Sequence, residues 1–260
     1  ALHTSDEFGD LAGALNIIAE DLNNFDDYQR AFISNISHDF RSPLTSIHGY
    51  AQAMLDGTIP YEAQEKYLNI ILSETDRLTN LTSNLLELNS FNGDNVLLDI
   101  TTFNICETIV QTVNTLEGTA AKKEISFVLD YNTQKELLVE ADESKIHQVL
   151  YNLIDNAVKF SHNNSEIKIS LRKKGAKVFV SVKDSGIGIP KESLNKVFDR
   201  FYKTDISRGK DKRGTGLGLS ISKEIIQAHN QTINVVSTVD VGTEFVFTLK
   251  YHSKKQEASS

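Results

Sequence analysis

The chain has 260 residues and a formal net charge of −8 at pH 7, from 27 basic and 35 acidic side chains. This length predicts one or two domains, and the negative charge argues against a surface that binds nucleic-acid phosphates. A single cysteine, Cys106, excludes a disulfide framework, and its apolar neighbours indicate a core position in a reducing compartment. The sequence contains no apolar run of about 18 residues, the length that a membrane-spanning helix needs.

A first helix is predicted from the acidic residues near Asp6 to about Leu22. Its apolar residues Leu11, Leu15 and Ile18 recur at helical spacing. An ordinary acidic helix start has the same pattern, so these residues alone leave the role of the segment open.

A second helix, predicted over residues 23–56, places a histidine beside a carboxylate. We expect one face of this helix to be buried, because apolar residues follow it at helical spacing: Ile33, Ile36, Phe40, Ile47 and Met54. His38 then faces solvent next to Asp39, and a neutral imidazole oriented by a carboxylate is a usable nucleophile near pH 7. Pro43 removes one helix hydrogen bond, so we expect the helix to bend or loosen there. A lone histidine is more often simply solvated, and the rest of the chain decides between the two interpretations.

A turn at Gly57–Pro60 leads into a further predicted helix over residues 61–88. In this helix Ile71, Leu78 and Leu85 repeat every seven residues, which is typical of a coiled-coil seam. Two helices cannot bury both of their apolar faces alone. We therefore expect the hairpin to pair with a second copy in a symmetric four-helix bundle.

The chain after residue 90 is predicted to form a separate domain. Phe91–Asn95 breaks the helix and is interpreted as an interdomain hinge. The remaining segments indicate an α+β sandwich in which helices cover one face of a mixed sheet. Strands are predicted at residues 96–103, 125–130, 166–172, 177–184, 233–238 and 244–250. Helices are predicted near residues 104–121, 142–161 and 216–229.

Three segments of this domain carry groups suited to a nucleotide. Asn152 and Asn156, four residues apart, share a helix face with Lys159. The segment Asp184–Gly188 places a carboxylate at the end of a strand, before a glycine turn. The glycine-rich segment Gly214–Gly218 opens a helix, where free N–H groups favour anions. Each segment alone is a weak signal, and the last one follows no predicted strand, unlike a dinucleotide fingerprint. The three segments together, in this order along the chain, are a strong signal for a nucleotide site.

Together these segments resemble the cytoplasmic catalytic portion of a sensor histidine kinase of a two-component system, over about residues 25–250. The resemblance implies that His38 is the phospho-acceptor and that Asp39 orients it. It also implies that Asn156 coordinates Mg²⁺ and that Asp184 accepts a hydrogen bond from the adenine amino group. Ser42 stands where many relatives carry threonine or asparagine, and we expect it to support a weak phosphatase activity toward the regulator.

The resemblance further implies a Bergerat-type ATP site, as in gyrase, heat-shock chaperone and mismatch-repair ATPases. Residues 202–213 would form a lid over the nucleotide, with Arg208 as a candidate phosphate partner. The implied cofactors are ATP and Mg²⁺. The implied binding residues are Asn152, Asn156, Lys159, Asp184, Gly186, Gly188, Phe198, Phe201, Tyr202, Arg208, Gly214, Thr215, Gly216, Leu217, Gly218 and Thr243.

The resemblance also implies a domain order and a set of partners. Residues 1–22 would be the last helix of a HAMP signal-transmission module, residues 23–92 the dimerisation and histidine-phosphotransfer hairpin, residues 93–252 the catalytic ATP-binding domain, and residues 253–260 a polar tail. The implied partners are a second copy of the chain, the receiver domain of a response regulator and an upstream transmembrane sensor, with no nucleic acid. Such a protein would act at the cytoplasmic side of the cell membrane.

Two other functional classes remain to be weighed. An ATPase or ATP-gated clamp of the gyrase or chaperone kind would place a glutamate base where this chain has Asn152, and an amide cannot take a proton from water. Such proteins also lack a helical hairpin with a phospho-acceptor histidine. A non-catalytic scaffold is the third class, but every ATP-site position implied by the resemblance is occupied here.

Overall fold

The computed structural model describes residues 7–90, 97–131, 136–204 and 214–253. The chain divides into two compact units, the first ending at Asn80 and the second beginning at Leu81. None of the described helices is both long and apolar enough to cross a membrane.

The first unit is a hairpin of two helices. Helix α1 spans Glu7–Leu55 and α2 spans Gln64–Ser90, with a short 3₁₀ turn at Tyr61–Ala63 between them. The last turns of α2, from Leu81, belong to the second unit.

Helix α1 joins into one helix the two that were predicted over about residues 6–22 and 23–56. It starts at Glu7 and passes the expected start near residue 23, because no glycine or proline occurs between Gly13 and Pro43. The helix also continues through Pro43 to Leu55. The prediction of a helix start near residue 23 is therefore wrong.

The apolar stripe of α1 is not buried within one chain. Ile33 is 56% exposed, and Ile36, Phe40, Ile47 and Met54 are only half-buried. The reason is geometric, because each helix of a two-helix hairpin covers only one side of the other. The expectation of a buried stripe is wrong for the single chain, and pairing with a second copy remains a prediction.

Within the described residues, the second unit contains a seven-stranded mixed sheet. Its strands are β1 (Thr101–Asn104), β2 (Ser126–Asp130), β3 (Leu138–Ala141), β4 (Glu166–Lys174), β5 (Lys177–Lys183), β6 (Ile233–Thr238) and β7 (Gly242–Tyr251). The strand order is β1-β3-β7-β5-β4-β2, and β6 also pairs with β7. Strands β2 and β4 are parallel, and the other pairs are antiparallel. The predicted mixed sheet is confirmed.

Strand β3 is absent from the sequence-based prediction. It has four residues and pairs with both β1 and β7. Its partner β1 starts at Thr101 and not near residue 96, because β3 ends opposite Thr101 at Ala141, next to the helix N-cap Asp142. A β-strand is defined by its hydrogen bonds to a partner strand, so the limits of β1 and β3 cannot be predicted from either segment alone.

Helices cover one face of this sheet, as predicted. They are α3 (Ile105–Ala121), α4 (Glu143–Phe160) and α5 (Gly218–Ala228). The side chain of Asn104 caps α3 and that of Asp142 caps α4, each by accepting a backbone N–H. Helix α4 contacts both α3 and α5, and its apolar face is fully buried, so its polar face is left to line a site.

Candidate active site

His38 is presented to solvent on α1. Its side chain is 83% exposed, and its Nδ1 lies 3.6 Å from Oδ1 of Asp39, which is 18% exposed. That distance is too long for a hydrogen bond but allows the carboxylate to orient the ring. Ser42, one turn later, is also exposed. The expected exposure of His38 is confirmed.

An open groove runs along α1 beside this histidine. It has a volume of about 460 Å³, and Leu44 in it is 53% exposed. The groove is lined by Ser37, Phe40, Arg41, Leu44, Thr45 and His48. No separate pattern in the sequence predicts it, because its lining alternates between apolar and polar residues.

The two asparagines of α4 have different surroundings. The Asn152 amide nitrogen donates to the carbonyl of Gly218 (3.1 Å) and to Oγ of Ser222 (3.4 Å), which holds the first turn of α5 against α4. Asn156 is half-buried, and its amide makes no hydrogen bond to any described residue. The amide oxygen of Asn156 is therefore available to a ligand.

Lys159 has a partner that the sequence-based prediction missed. Its Nζ lies 2.7 Å from Oδ2 of Asp155, one turn earlier on α4. The sequence could have predicted this ion pair, because an acidic residue four positions before a lysine on a helix often forms one. Lys159 is 38% exposed, so exchange of this carboxylate for a phosphate is sterically open.

Asp184 is the most deeply buried carboxylate among the predicted site residues. Its Oδ1 accepts hydrogen bonds from the backbone N–H groups of Gly186 (2.9 Å) and Thr243 (3.2 Å). Its Oδ2 has no hydrogen-bond partner among the described residues. Burial raises the pKa of Asp184 to about 6, against the lowering effect of these two N–H groups and of His162.

The glycines of this region allow close contacts between backbone segments. A Cβ at Gly186 would lie 2.3 Å from the carbonyl oxygen of Phe160, and one at Gly188 (φ +67°) would lie 2.1 Å from that of Thr238. A Cβ at Gly242 (φ +138°), which the predicted site omits, would lie 2.1 Å from the carbonyl oxygen of Asp184. These glycines therefore bring the end of α4 and the β6–β7 turn against the Asp184 loop.

The segment around Phe198 is packed against β7 and the glycine loop Gly214–Gly218. The rings of Phe198 and Phe245 meet edge to face at 6.1 Å. Phe201 has a φ of +63°, and its N–H donates to the carbonyl of Gly216 (3.0 Å). The Tyr202 hydroxyl is hydrogen-bonded to Oγ of Ser193 at 2.9 Å. Phe201 therefore holds the glycine loop at Gly216, and Tyr202 holds its own segment to Ser193.

The glycine loop before α5 is described from Gly214 onward. The Leu217 side chain is fully buried, so only its backbone could face a ligand, and its N–H donates to Oγ1 of Thr215 at 3.3 Å. The Thr243 hydroxyl, on β7, is hydrogen-bonded to Ser237. Arg208, with residues 205–213 of the predicted lid, lies outside the described residues.

Comparison with known proteins locates two family models on the chain. The model for the His Kinase A (phospho-acceptor) domain matches residues 28–93. The model for the histidine kinase-, DNA gyrase B- and HSP90-like ATPase matches residues 141–253 and implies ATP binding. Together they confirm the predicted order of a helical hairpin and an α+β ATPase-type domain. They give no support to the ATPase-clamp alternative.

Individual relatives agree with this result. The sensor histidine kinase WalK of Bacillus subtilis is 33% identical over 258 residues, which is 96% of this chain and 42% of WalK. The chain thus spans less than half the length of that relative. The catalytic domain of histidine kinase ThkA is 36% identical over 58% of this chain and 95% of its own, with a TM-score of 0.52. A longer ThkA structure, solved in complex with response regulator protein TrrA, is 32% identical over 85% of this chain and 61% of its own, with a TM-score of 0.69. The chain therefore belongs to the sensor histidine kinase family.

Proposed function

We propose that this chain binds MgATP, phosphorylates His38 and passes the phosphoryl group to an aspartate of a response regulator. One observation supports this proposal most strongly. The exposed His38–Asp39 pair lies within the match to a phospho-acceptor domain, on the same chain as an ATP-binding domain. The proposed phosphoryl donor site and the proposed acceptor are therefore parts of the same polypeptide chain.

Adenine recognition is assigned to Asp184. Two backbone N–H groups hold its Oδ1, which leaves Oδ2 to accept a hydrogen bond from the exocyclic amino group of adenine. Guanine carries a carbonyl at the corresponding position, which would repel the carboxylate. The buried carboxylate therefore selects ATP over GTP.

The polar face of α4 and the glycine loop before α5 are assigned to the triphosphate. Lys159 and the N–H groups of Gly214–Gly218 supply positive charge and donors. Asn156 offers an oxygen with no protein partner among the described residues, and Asn152 keeps its oxygen after donating to α5. Such hard amide oxygens fit Mg²⁺, which neutralises phosphate charge during phosphoryl transfer.

The acceptor chemistry follows from the histidine pair. The Asp39 carboxylate lies 3.6 Å from Nδ1, so its negative charge favours a proton on that nitrogen and leaves Nε2 as the nucleophile. Nε2 forms a bond to the γ-phosphorus while the bond from that phosphorus to ADP breaks. At 83% exposure, His38 is accessible to a separate ATP-binding unit and afterwards to a receiver-domain aspartate.

The remaining partners are proposed from the same family membership. The apolar surface left on the hairpin supports a homodimer, and the related kinase ThkA was solved in complex with a response regulator protein. We place residues 1–22 at the end of a HAMP module that connects to a transmembrane sensor, residues 23–92 in the phosphotransfer hairpin and residues 93–252 in the catalytic domain. The protein would then act at the cytoplasmic face of the membrane.

Incubation with γ-labelled MgATP tests the proposal. The label should enter the protein and be lost in acid but kept in alkali, as expected for a phosphoramidate. Release of labelled inorganic phosphate without a labelled protein would instead support the ATPase clamp.

A further inference from the structure

A lysine outside the predicted ATP site caps the helix that carries much of that site. The ammonium group of Lys123 donates hydrogen bonds to the carbonyl oxygens of Val158 (2.8 Å) and Lys159 (2.6 Å). Both carbonyls belong to the last turn of α4, which lacks donors from within the helix. A cation is also favoured at this position by the helix dipole.

The loop that carries Asp184 is attached to the same helix end. The N–H of Ile187 donates to the carbonyl of Phe160 (3.3 Å), and Ser161 forms an isolated β-bridge with Gly186. The tight contact between Gly186 and the Phe160 carbonyl leaves no space between the two segments. A shift of the end of α4 would therefore also move the Asp184 loop.

Lys123 is itself fixed through its backbone. Its N–H donates to the carbonyl of Ala120 (2.9 Å), and its carbonyl accepts from the N–H of Asn164 (3.0 Å). The neighbouring Ser126 N–H donates to the carbonyl of Ser165 (3.0 Å). Lys123 thus binds the chain on both sides of the junction between α4 and the following loop, and the fold sets the position of its ammonium group.

We propose that Lys123 is a positioning residue for MgATP. By holding the last turn of α4, it fixes the place of Lys159 and of Asn156 one turn earlier, and it keeps the Asp184 loop in register with them. This inference rests on the proposed function and extends it to a residue that acts only through backbone carbonyls.

Three variants separate this role from that of a simple stabilising cap. Lys123→Met removes the charge and the donors at nearly equal length, Lys123→Arg keeps both, and Lys122→Met removes a neighbouring exposed charge as the matched control. Calorimetric titration of the full chain with ATP, with and without Mg²⁺, is done below the unfolding transition of each variant.

We expect Lys123→Met to raise the Kd of MgATP about fivefold to tenfold, and to raise the Mg²⁺ concentration at half-saturation. Lys123→Arg should recover most of this loss, and Lys122→Met should stay within about twofold of the parent. A folded Lys123→Met variant with the parent's Kd would overturn the proposal, even if its melting temperature fell.

A second comparison covers the case in which Lys123→Met does not fold. Lys123→Gln keeps N–H donors without the charge, so the proposal requires a higher Kd for Lys123→Gln than for Lys123→Arg. Equal Kd values for these variants and the parent would overturn it. Because binding is read directly, a parent that binds ATP without labelling His38 contradicts the kinase proposal alone. A parent that binds no ATP contradicts both.

Discussion

The ATP-binding unit buries a continuous core within one chain, whereas the helical hairpin leaves most of its apolar residues exposed. In the former, Ile154, Ile169 and Phe247 are fully buried between helices and sheet. In the described part of the hairpin before Leu81, the buried apolar side chains are those of Pro43 and Ile59. The difference indicates that the ATP-binding unit covers its own apolar residues, while the hairpin needs another protein surface to cover its apolar residues.

The chemistry of the two units differs in the same way. His38 is 83% exposed, which suits its proposed role as an acceptor that meets separate domains. Asp184 is 6% exposed, which suits its proposed role in distinguishing bases, because burial strengthens its hydrogen bonds and penalises wrong ligands. Changes in one unit should therefore leave the function of the other measurable.

Among substitutions in the ATP-binding unit, the largest effect is expected from Asn156→Ala. This substitution removes the amide oxygen assigned to Mg²⁺, on a side chain that makes no hydrogen bond to any described residue, and autophosphorylation should fall by at least about 100-fold. Labelling from γ-labelled ATP measures this loss, with Asn163→Ala in the exposed loop as a control. A folded Asn156→Ala chain with most of its activity would refute the metal assignment.

Asp184→Asn should weaken ATP binding by about tenfold or more. The asparagine oxygen can keep the two backbone N–H bonds, but its NH₂ group then faces the adenine amino group, donor against donor. Calorimetric titration measures the Kd. An unchanged Kd would place adenine elsewhere.

The same substitution should stabilise the unliganded chain. The pKa of Asp184 is about 6, above its ordinary 3.8, so the folded state holds this proton more tightly than the unfolded state. The contribution of Asp184 to stability is therefore present below about pH 4 and is lost as the pH rises through 6. At pH 7 Asp184→Asn should gain about 1–3 kcal/mol. Urea unfolding at pH 4 and pH 7 checks this, and a gain of equal size at both would contradict it.

The hairpin should respond to a charge on its exposed apolar surface. Leu72 on α2 is 61% exposed in the single chain, and Leu72→Glu should weaken dimerisation about tenfold or more if a second copy covers it. Sedimentation over a range of concentrations measures the effect, with Asn80→Glu as the control for added charge. ATP affinity should not change, and an unaffected dimer would exclude this face from the interface.

The smallest effect is expected at Ser42. Its exposed hydroxyl, one turn after His38, could position the water that hydrolyses a regulator's acyl phosphate. Ser42→Thr should raise the rate of regulator dephosphorylation about twofold, because the added methyl restricts χ1, and Ser42→Ala should lower it. Decay of the phosphorylated regulator with ADP present measures both. Equal decay with all three chains would exclude residue 42.

Local patterns predicted the long elements of the fold and the centre of the candidate site. The cap before α4 and its apolar spacing are contained in one segment, and so is the Asp184 turn after β5. Strand β3 was missed because four residues have little pattern of their own and form a strand only between β1 and β7.

Other features depend on contacts distant in sequence. The link from Lys123 to Val158 spans 35 residues, and that from Gly242 to Asp184 spans nearly 60, so neither residue shows its role in its local sequence. The exposure of Ile33 was mispredicted for the opposite reason. Its helical spacing correctly marks an apolar face, but spacing does not tell whether the same chain covers that face.

The most direct test of the central claim is the parallel measurement of protein labelling and ATP affinity in His38→Gln. The division of roles between the two units predicts complete loss of the acid-labile label, with a Kd for MgATP within about twofold of the parent. Undiminished labelling of His38→Gln would contradict the assignment of His38 as the phospho-acceptor. Loss of ATP binding in the same variant would contradict the separation of the two units.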